Sequence, residues 1–392
     1  MTVIVAALRT PIGKFGGQLA GVSAPDLGAV VIQALLARTG IEANAVDEVL
    51  MGNLLQAGLG QGPARQAAIR AGLPHSVPAT AINMLCGSGL KSVQLGAALI
   101  DTGQADIVIA GGMENMSAAP YLLPHNRWGQ RIGNGEVIDS MLNDALIDAF
   151  DGCHMGVTAE TLAAQYRITR TEQDAFACRS QHHAVLAMQA GVFTGEIVPV
   201  TVASKKGEQI MDADEGPRPD TSIDKLAGLA PAFAASGTVT AGNASTINDG
   251  AAAVLLMSET RARELGLTPM ARIVAAASTG VDPKVMGIGP VSAIERVLAQ
   301  SKVTLADVNL IELNEAFAAQ SLAVCRALDL NTERVNVHGG AIALGHPVGA
   351  SGARILVTLL HSMQRQKAAV GLASLCVGGG MGVAMLVEQD SN

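Results

Sequence analysis

The stretch Ile82-Asn83-Met84-Leu85-Cys86-Gly87-Ser88-Gly89-Leu90-Lys91-Ser92-Val93 sets the organisation of this chain. Apolar residues follow it at helical spacing as far as Asp101, which predicts a helix that begins just after Cys86. The N–H groups and the dipole at the start of a helix favour a thiolate, so Cys86 is predicted to be a nucleophile. Gly87 and Gly89 are expected to let a substrate approach its sulfur. The alternative is a structural cysteine at a strand-to-helix turn, and only partners elsewhere in the chain can decide between the two.

The composition of the chain favours an α/β protein. The 392 residues are long enough for two or three domains, and 49% of them are hydrophobic although aromatic residues make up only 2%. The core must therefore be built from small and aliphatic side chains. Together with 44 glycines, this indicates helices packed closely on parallel strands.

Charge and cysteine content narrow the partners and the compartment. The net charge of −8, without a run of basic residues, argues against nucleic acid as a partner. Lys205 and Lys206 are expected to be surface charges. The five cysteines lack CxxC spacing, which argues against a disulfide framework or a zinc site and fits a reducing compartment. Because residues 1–9 do not have the pattern of a secretory signal, the protein is expected to be cytoplasmic.

One uncharged segment, residues 368–387, is long enough to span a bilayer. Its centre is Gly378-Gly379-Gly380, which is unfavourable in a helix. Two buried strands joined by a glycine turn explain the segment better, so no membrane association is expected.

The second part of the chain repeats the pattern of the first. Residues 272–277 and 292–298 resemble the strand and helix near the N-terminus, and residues 307–314 resemble residues 47–53. Both parts are expected to end in a strand, a glycine turn and a strand, with the turns at Gly111-Gly112 and at residues 378–380. An internal duplication is therefore predicted, with a ligand site where loops of the two halves meet. Residues 119–244 hold most of the aromatic residues and several prolines, so they are interpreted as an insertion that lies over the core.

Three loops of the second half carry chemically useful side chains. Asn314 follows a predicted strand, His346 lies on a tight turn between glycine and proline, and Cys376 precedes three glycines. His346 is a candidate general base for Cys86, and Cys376 is a candidate second thiol. The glycine-rich residues 58–63 lack the third glycine of a dinucleotide-binding fingerprint and are not expected to bind phosphate.

Four motifs of the chain resemble the active-site loops of the thiolase family. In chain order they are Cys86-Gly87-Ser88-Gly89, Asn314-Glu315-Ala316-Phe317, Gly345-His346-Pro347-Val348-Gly349 and Cys376-Val377-Gly378-Gly379-Gly380. The order and spacing match, and the resemblance covers essentially the whole chain. The pair His154-Met155 is similar to that of the biosynthetic, acetoacetyl-CoA-type members.

The resemblance implies a thiolase fold, with two similar β/α halves packed as a layered α-β-α-β-α core and an inserted loop domain. The implied N-terminal half is residues 1–268, with its core in 1–118 and 245–268 and an inserted CoA-binding loop domain at 119–244. The C-terminal half would be residues 269–392. Family resemblance also favours a homotetramer built as a dimer of dimers.

The implied activity is that of an acetyl-CoA C-acetyltransferase, which joins two acetyl-CoA into acetoacetyl-CoA and CoA, or reverses that reaction. Cys86 would carry the acetyl group, His346 would take its proton, and Cys376 would exchange a proton with the methyl group of the second acetyl-CoA. His346 and a water held by Asn314 would stabilise one oxyanion. The backbone N–H groups of Cys86 and Gly378 would stabilise the other.

Coenzyme A is a polyanion, so an acidic protein must bind it through local groups. By resemblance, Arg218 would lie near the adenosine phosphates, and His154 and Ser245 along the pantetheine. Met155, Phe233, Met286 and Phe317 would complete the apolar lining. CoA and acetyl-CoA are thus expected as substrates, without a tightly bound cofactor or a metal.

Three positions depart from the usual family pattern, namely Thr161, Thr246 and His338. Thr246 follows the pantetheine motif where glycine is common and could narrow the acyl path. A longer 3-ketoacyl-CoA substrate and a non-catalytic CoA- or lipid-binding relative are the alternatives. A ketoacyl synthase would lack the second reactive cysteine, and a binding protein would be expected to have lost Cys86, His346 or Cys376, which are all present.

Overall fold

The computed structural model describes residues 1–204 and 207–389, so Lys205 and Lys206 lie outside the described residues. The helices are α1 Ala24–Thr39, α2 Pro63–Arg70, α3 Ser88–Asp101, α4 Met155–Gln165, α5 Arg170–Gln189, α6 Ile223–Ala227, α7 Glu259–Glu264, α8 Gly289–Ser301, α9 Ala318–Ala327, α10 Ala341–Leu344 and α11 Val348–Gln366. The strands are β1 Thr2–Arg9, β2 Gly13–Lys14, β3 Glu48–Gly52, β4 Ala79–Ile82, β5 Ile107–Asn115, β6 Tyr121–Leu122, β7 Ile138–Asp139, β8 Val200–Ser204, β9 Gly207–Met211, β10 Asn248–Ser258, β11 Ala271–Gly280, β12 Leu310–Leu313, β13 Val370–Val377 and β14 Met381–Glu388.

Within the described ranges, ten strands form one large sheet. Its order is β12-β13-β14-β11-β1-β10-β5-β3-β4, with β2 paired to β10. The two halves meet where β1 and β11 pair antiparallel, at Val3 with Arg272 and Ile4 with Ala271. Outward from this seam each half repeats one strand order, and β1, β10, β5 and β3 correspond to β11, β14, β13 and β12. The repeated order supports the predicted duplication.

Helices form three layers, one on the outer face of each half of the sheet and one between the two halves. The predicted α-β-α-β-α core is therefore confirmed. The outer face of the first half packs on α1 and α2. The outer face of the second half packs on α8 and α9. Helices α3 and α11 lie back to back in the middle, where both halves contribute to one apolar core. Strand β5 shows the required alternation, because Ile107 and Ile109 face the outer core while Val108 and Ala110 face the central one.

The expectation of parallel strands is wrong for most of the sheet. Only three of its pairings among the described residues are parallel, β3 with β4, β3 with β5 and β12 with β13. The remaining pairings are antiparallel, because β10 and β14 each insert between two strands of their half and reverse the direction.

The predicted glycine turn at Gly111-Gly112 is also wrong, since both residues lie inside β5. A Cβ at Gly111 would overlap the carbonyl oxygen of Ala252, and one at Gly112 would overlap that of Gly349. These glycines therefore serve close packing. The corresponding turn of the second half is present between β13 and β14, where Gly379 and Gly380 have φ values of 73° and 83°.

Residues 368–387 form β13 and β14, as predicted. In the ranges that the structure describes, no helix combines the length and the apolar character needed to cross a bilayer.

The contact between α11 and the first half depends on glycine. The first turn of α11 brings the carbonyl oxygen of Gly349 against Gly52, Gly89 and Gly112. A Cβ at Gly52 would lie 2.7 Å from that oxygen, and one at Gly89 would lie 2.7 Å from the backbone nitrogen of Ala353. Gly89 was expected to admit substrate to Cys86, but its role is to let α3 approach α11.

The insertion is fastened to the first strand by a buried ion pair. Arg9 at the end of β1 is fully buried. Its guanidinium donates to Glu196 at 2.6 Å and to both carboxylate oxygens of Asp214 at 2.7 and 2.9 Å. Removing one member would leave an uncompensated buried charge, which typically costs about 3–5 kcal/mol. The domain boundary at residue 268 stays a prediction, since the sheet itself runs without interruption through both halves.

We expect Gly112→Ala to lower the free energy of unfolding by at least about 1–3 kcal/mol, because the new methyl group overlaps the backbone of Gly349. Thermal or urea unfolding measures this change. Gly21→Ala is the matched control, since a Cβ at the exposed Gly21 meets no atom within 4 Å. Equal stability of the two variants would contradict the close packing described above.

Candidate active site

A cavity of about 960 Å³ opens between the two halves and the insertion. Cys86, His346 and Cys376 all line it, together with Gly378. The predicted binding residues on its wall are His154, Met155, Arg218, Phe233, Ser245, Met286 and Phe317. Of the predicted site residues only Asn314 is missing from the lining.

Cys86 lies on a sharp turn between β4 and α3. Leu85 has a left-handed φ of 49°, which is uncommon for a leucine. The hydroxyl of Ser88 holds this turn by accepting from the backbone nitrogen of Met84 at 2.8 Å and donating to the carbonyl oxygen of Leu85 at 2.6 Å. The turn directs the sulfur into the cavity at the start of α3, as the sequence predicted.

The start of α3 does not by itself make Cys86 a thiolate. Burial raises the pKa of the Cys86 thiol to about 11, although the backbone N–H groups of Gly378 and Cys86 lower it. The helix start therefore only partly offsets the cost of charging a sulfur away from water. At neutral pH Cys86 is a thiol, so it needs a base to become a nucleophile.

His346 is placed to act as that base. Its backbone N–H donates to Oδ1 of Asn248 at 2.8 Å, and its Nδ1 lies 2.5 Å from Oγ of Ser351. The hydroxyl of Ser351 is placed to donate to the carbonyl oxygen of Pro347 at 2.8 Å, an arrangement in which Nδ1 carries the imidazole proton. This leaves Nε2 as an acceptor. Burial, together with a smaller effect of the Arg354 guanidinium, lowers the pKa of His346 to about 4, so the imidazole is neutral.

Cys376 stands at the end of β13 and is fully buried. Burial raises the pKa of its thiol far above the ordinary range, and the sulfur of Cys86 adds to the effect. The two sulfurs are thus close enough to interact, and both are protonated at neutral pH. Gly378 follows in the turn after β13, where its N–H reaches the sulfur of Cys86.

Asn314 lies directly behind this wall, at the end of β12. Its backbone nitrogen donates to the carbonyl oxygen of Ser374 at 3.0 Å. Its side chain is fully buried, and neither the amide nitrogen nor the amide oxygen is paired with a described residue. Leaving a buried amide without hydrogen-bond partners costs about 1–3 kcal/mol. Unpaired buried amides are therefore unusual away from functional sites.

An aromatic wall forms one side of the cavity. The ring of His154 stacks on Phe233 with 4.6 Å between centroids, and Phe233 meets Phe317 edge to face at 6.0 Å. His154 also caps α4, since its Nδ1 accepts from the backbone nitrogen of Gly156 at 3.0 Å. Burial lowers the pKa of His154, which favours the neutral ring. Met155 and Met286 belong to the same apolar cluster.

The mouth of the cavity has a small excess of positive charge. Arg218, Lys14 and Lys225 are exposed there beside the carboxylates of Glu215 and Asp220. Lys225 pairs with Asp220 at 2.6 Å. Scattered lysines give no sequence signal, because only the fold brings these three residues to one opening.

The three departures from the family pattern lie in different places. Thr246 lines the cavity and donates its hydroxyl to Oδ1 of Asn248 at 2.8 Å. Thr161 is exposed on α4, and its hydroxyl donates to the carbonyl oxygen of Val157. His338 is half-buried against the edge of the Phe193 ring. Thr246 is therefore the one of these three that lines the cavity.

Three residues that support the site were missed in the sequence. Asn248 and Ser351 hold the backbone and the ring of His346. Glu114 is buried beside Cys86, and its charge raises the pKa of that thiol. The sequence does carry a signal for Glu114, because it is the single charged residue in the nine-residue stretch that forms β5. The structure shows that all nine of these residues are buried.

Comparison with known proteins identifies the family. The chain matches the family described as Thiolase, N-terminal domain, over residues 2–260, and Thiolase, C-terminal domain, over residues 267–389. It is 58% identical to the acetyl-CoA acetyltransferase of Pseudomonas aeruginosa over 389 residues, with 99% of each chain covered. It is 55% identical to a probable acetyl-CoA acyltransferase of Staphylococcus aureus, covering 99% of this chain and 98% of that one.

Solved structures give the same result. The acetyl-CoA acetyltransferase of Bacillus anthracis superposes with a TM-score of 0.97 at 48% identity and covers 99% of this chain and 98% of its own. Human mitochondrial 3-ketoacyl-CoA thiolase also gives 0.97, at 43% identity and 99% coverage of both chains. The chain therefore belongs to the thiolase family, and its predicted fold class is confirmed.

Proposed function

We propose that this protein is an acetyl-CoA C-acetyltransferase that interconverts two acetyl-CoA with acetoacetyl-CoA and CoA. The observation that carries the proposal is the meeting of Cys86, His346 and Cys376 on one cavity wall, with two thiols and a neutral imidazole. Relatives named acetyl-CoA acetyltransferase match over nearly the full chain and support it. A non-catalytic role is not favoured, because the complete set of reactive groups is present.

Cleavage begins with proton transfer from Cys86 to Nε2 of His346. The thiolate attacks the ketone carbon of acetoacetyl-CoA, and the bond between that carbon and the methylene carbon breaks. The acetyl group stays on Cys86 as a thioester. The electron pair leaves with acetyl-CoA as a carbanion, which takes the proton of Cys376 and leaves that residue as a thiolate.

The second half of the reaction restores the enzyme. The Cys376 thiolate takes the proton of CoA, whose sulfur attacks the acetyl thioester. Cys86 leaves as a thiolate and recovers its proton from the His346 imidazolium. Synthesis is the same sequence in reverse. Because burial raises the pKa of Cys376, its thiolate is a strong base, as removal of a proton from a methyl group requires.

Two oxyanions need stabilisation in this scheme. The backbone N–H groups of Cys86 and Gly378 converge at the Cys86 sulfur, where the tetrahedral intermediate forms. The thioester oxygen of the second substrate is assigned to His346 and to a water held by the buried amide of Asn314. Losing one such donor typically costs about a hundredfold to a thousandfold in rate.

Coenzyme A would enter through the mouth of the cavity. Arg218, Lys14 and Lys225 are placed to meet its phosphates, while Ser245 and the ring of His154 border the path of the pantetheine. Each chemical step uses sulfur, imidazole and the thioester itself, so the scheme needs CoA substrates and no resident cofactor. We place the reaction in the cytoplasm because all five cysteines are free thiols, and cell fractionation is the check.

Two cysteine variants test the roles. Cys86→Ala should form no acetyl adduct with acetyl-CoA, because the nucleophile is gone. Cys376→Ala should still acquire the adduct but lose condensation by about a hundredfold or more, since the proton exchange is missing. Intact mass after rapid quench measures the adduct, and acetoacetyl-CoA formation measures condensation. Cys325→Ala is the control, because that buried thiol lies in another core. Equal condensation in both test variants would refute the assignment.

Thr246 adds a side chain to the cavity wall at a position where glycine is common in the family, so we expect a preference for short acyl chains. Acetoacetyl-CoA should be cleaved at least about tenfold faster than 3-ketohexanoyl-CoA, because unaccommodated methylenes cost about 1–3 kcal/mol each. Thr246→Gly should reduce this preference, while Thr161→Ala on the exposed face of α4 should not. A wild-type preference for the longer chain would favour a 3-ketoacyl-CoA thiolase.

We also propose a homotetramer. Residues 121–150 carry Trp128 at 89%, Ile132 at 96% and Phe150 at 75% exposure, an unusual apolar surface for an isolated chain. Light scattering should give about four times the chain mass of 39.9 kDa. Trp128→Ser with Ile132→Ser should lower that mass, whereas Leu186→Ser, at an exposed position on α5, should not. A wild-type monomer would overturn this proposal.

A further inference from the structure

The carboxylate of Glu114 is held entirely by N–H groups. Its Oε1 accepts from Nδ2 of Asn53 at 2.8 Å and from the backbone nitrogen of Leu55 at 3.2 Å. Its Oε2 accepts from the backbone nitrogens of Leu54 and Gly349, each at 3.0 Å. Two donors on each oxygen occupy its lone pairs, so the arrangement fits an ionised carboxylate, since a carboxyl proton would face an N–H. Burial raises the pKa of Glu114 to about 7, while these same donors lower it.

These four donors come from both halves of the molecule. Asn53, Leu54 and Leu55 form the loop after β3, whereas Gly349 lies in the first turn of α11. The start of α11 has no side-chain cap of its own, because the capping position is Pro347. Glu114 therefore supplies, from the opposite half, the negative charge that a helix N-terminus favours.

Both ends of this link lie next to the residues that carry the reacting groups. Gly349 is three residues after His346 and two residues before Ser351, whose hydroxyl contacts the imidazole. On the other side, Leu54, Leu55 and Val348 form one apolar cluster against which Cys86 packs. A shift of α11 relative to the loop would thus change the position of His346 relative to Cys86.

We propose that Glu114 is a positioning residue, whose carboxylate fastens the first turn of α11 to the loop after β3 and so sets His346 against Cys86 for acyl transfer. The role rests on the proposed acetyltransferase function. Glu114 touches neither substrate nor the reacting atoms. It acts through the backbone of Gly349.

The charge of Glu114 has a second effect on Cys86, which opposes acyl transfer where the positioning role favours it. It raises the pKa of the Cys86 thiol and so disfavours the thiolate. Removing the charge alone should therefore make Cys86 more reactive toward a small reagent. Loss of positioning should make the same sulfur slower toward acetyl-CoA, and the two effects can be measured separately.

The test uses Glu114→Gln in the full-length protein. Its carboxamide turns one of the two acceptors into a donor that faces N–H groups. We expect acetylation of Cys86 by acetyl-CoA to slow by about ten- to a hundredfold, because small misplacements of reacting groups reduce rates by such factors. Rapid quench followed by intact-mass measurement gives the acetylation rate. Alkylation of Cys86 by iodoacetamide, followed from pH 7 to 10 with peptide mapping, should become faster at each pH. Acetylation within twofold of wild type, or acceleration of both reactions, would overturn the proposal.

A compensating variant separates positioning from general damage. In Asn53→Asp with Glu114→Gln, the new carboxylate at position 53 accepts from the amide nitrogen introduced at position 114. The amide oxygen at position 114 can still accept from the backbone nitrogens of Leu54 and Gly349, so of the original contacts of this carboxylate the one to the N–H of Leu55 is lost. We expect this pair to recover at least about tenfold of the lost acetylation rate. A slow single variant without recovery in the pair would assign the loss to destabilisation and overturn the positioning role.

Two further variants complete the design. Asp249→Asn removes a buried carboxylate of the adjacent strand β10 that binds Ser117 and the backbone N–H of Met116 but not α11, so it should acetylate at the wild-type rate. If Glu114→Gln does not fold, Asn53→Ala removes one of the four donors and should slow acetylation by about threefold. An unchanged rate in Asn53→Ala would then overturn the proposal. A wild-type protein that is never acetylated by acetyl-CoA would instead refute the proposed function. The two failures can be distinguished, because alkylation of Cys86 by iodoacetamide does not depend on acetyltransferase activity.

Discussion

The contact between the carbonyl oxygen of Gly349 and the glycines of the first half is the constraint on which the site depends. Gly52, Gly89 and Gly112 have no side chains, and so the start of α11 approaches the backbones of β3, α3 and β5 directly. Any larger residue would force the central helices apart. Since Cys86 precedes α3 and His346 precedes α11, the distance between these two helices also sets the distance between the sulfur of Cys86 and the imidazole of His346.

The internal repeat explains why the reacting groups meet at all. Helices α3 and α11 occupy equivalent places in the two halves, and each begins at the central layer. One helix start carries a sulfur and the other an imidazole. Burial then sets their resting states in opposite directions, raising the pKa of the thiols and lowering that of the histidine. A neutral resting pair avoids the cost of isolated charges in a closed layer.

The sequence was most informative where local chemistry and local structure coincide. The helix after Cys86, the tight turn at His346 and the strand pair around residues 378–380 could all be predicted from glycine positions and apolar periodicity. The direction of the strands could not, because the antiparallel members β10 and β14 are determined by long-range pairing. The same holds for Glu114 and Asn248, whose partners lie 235 and 98 residues away in the chain. The helix start alone does not set the protonation state of Cys86, since burial outweighs it and burial is a property of the whole fold.

The pairing of β1 has a consequence for how the molecule is made. Thr2 pairs with Ser258 and Ile4 with Ala271, so β1 finds both its neighbours only after the insertion has been synthesised. Until then an apolar strand with free edges is exposed, which is the condition under which chains aggregate or bind chaperones. The same seam that joins the two halves into one sheet therefore makes β1 depend on the later synthesis of strands that lie well into the second half of the sequence.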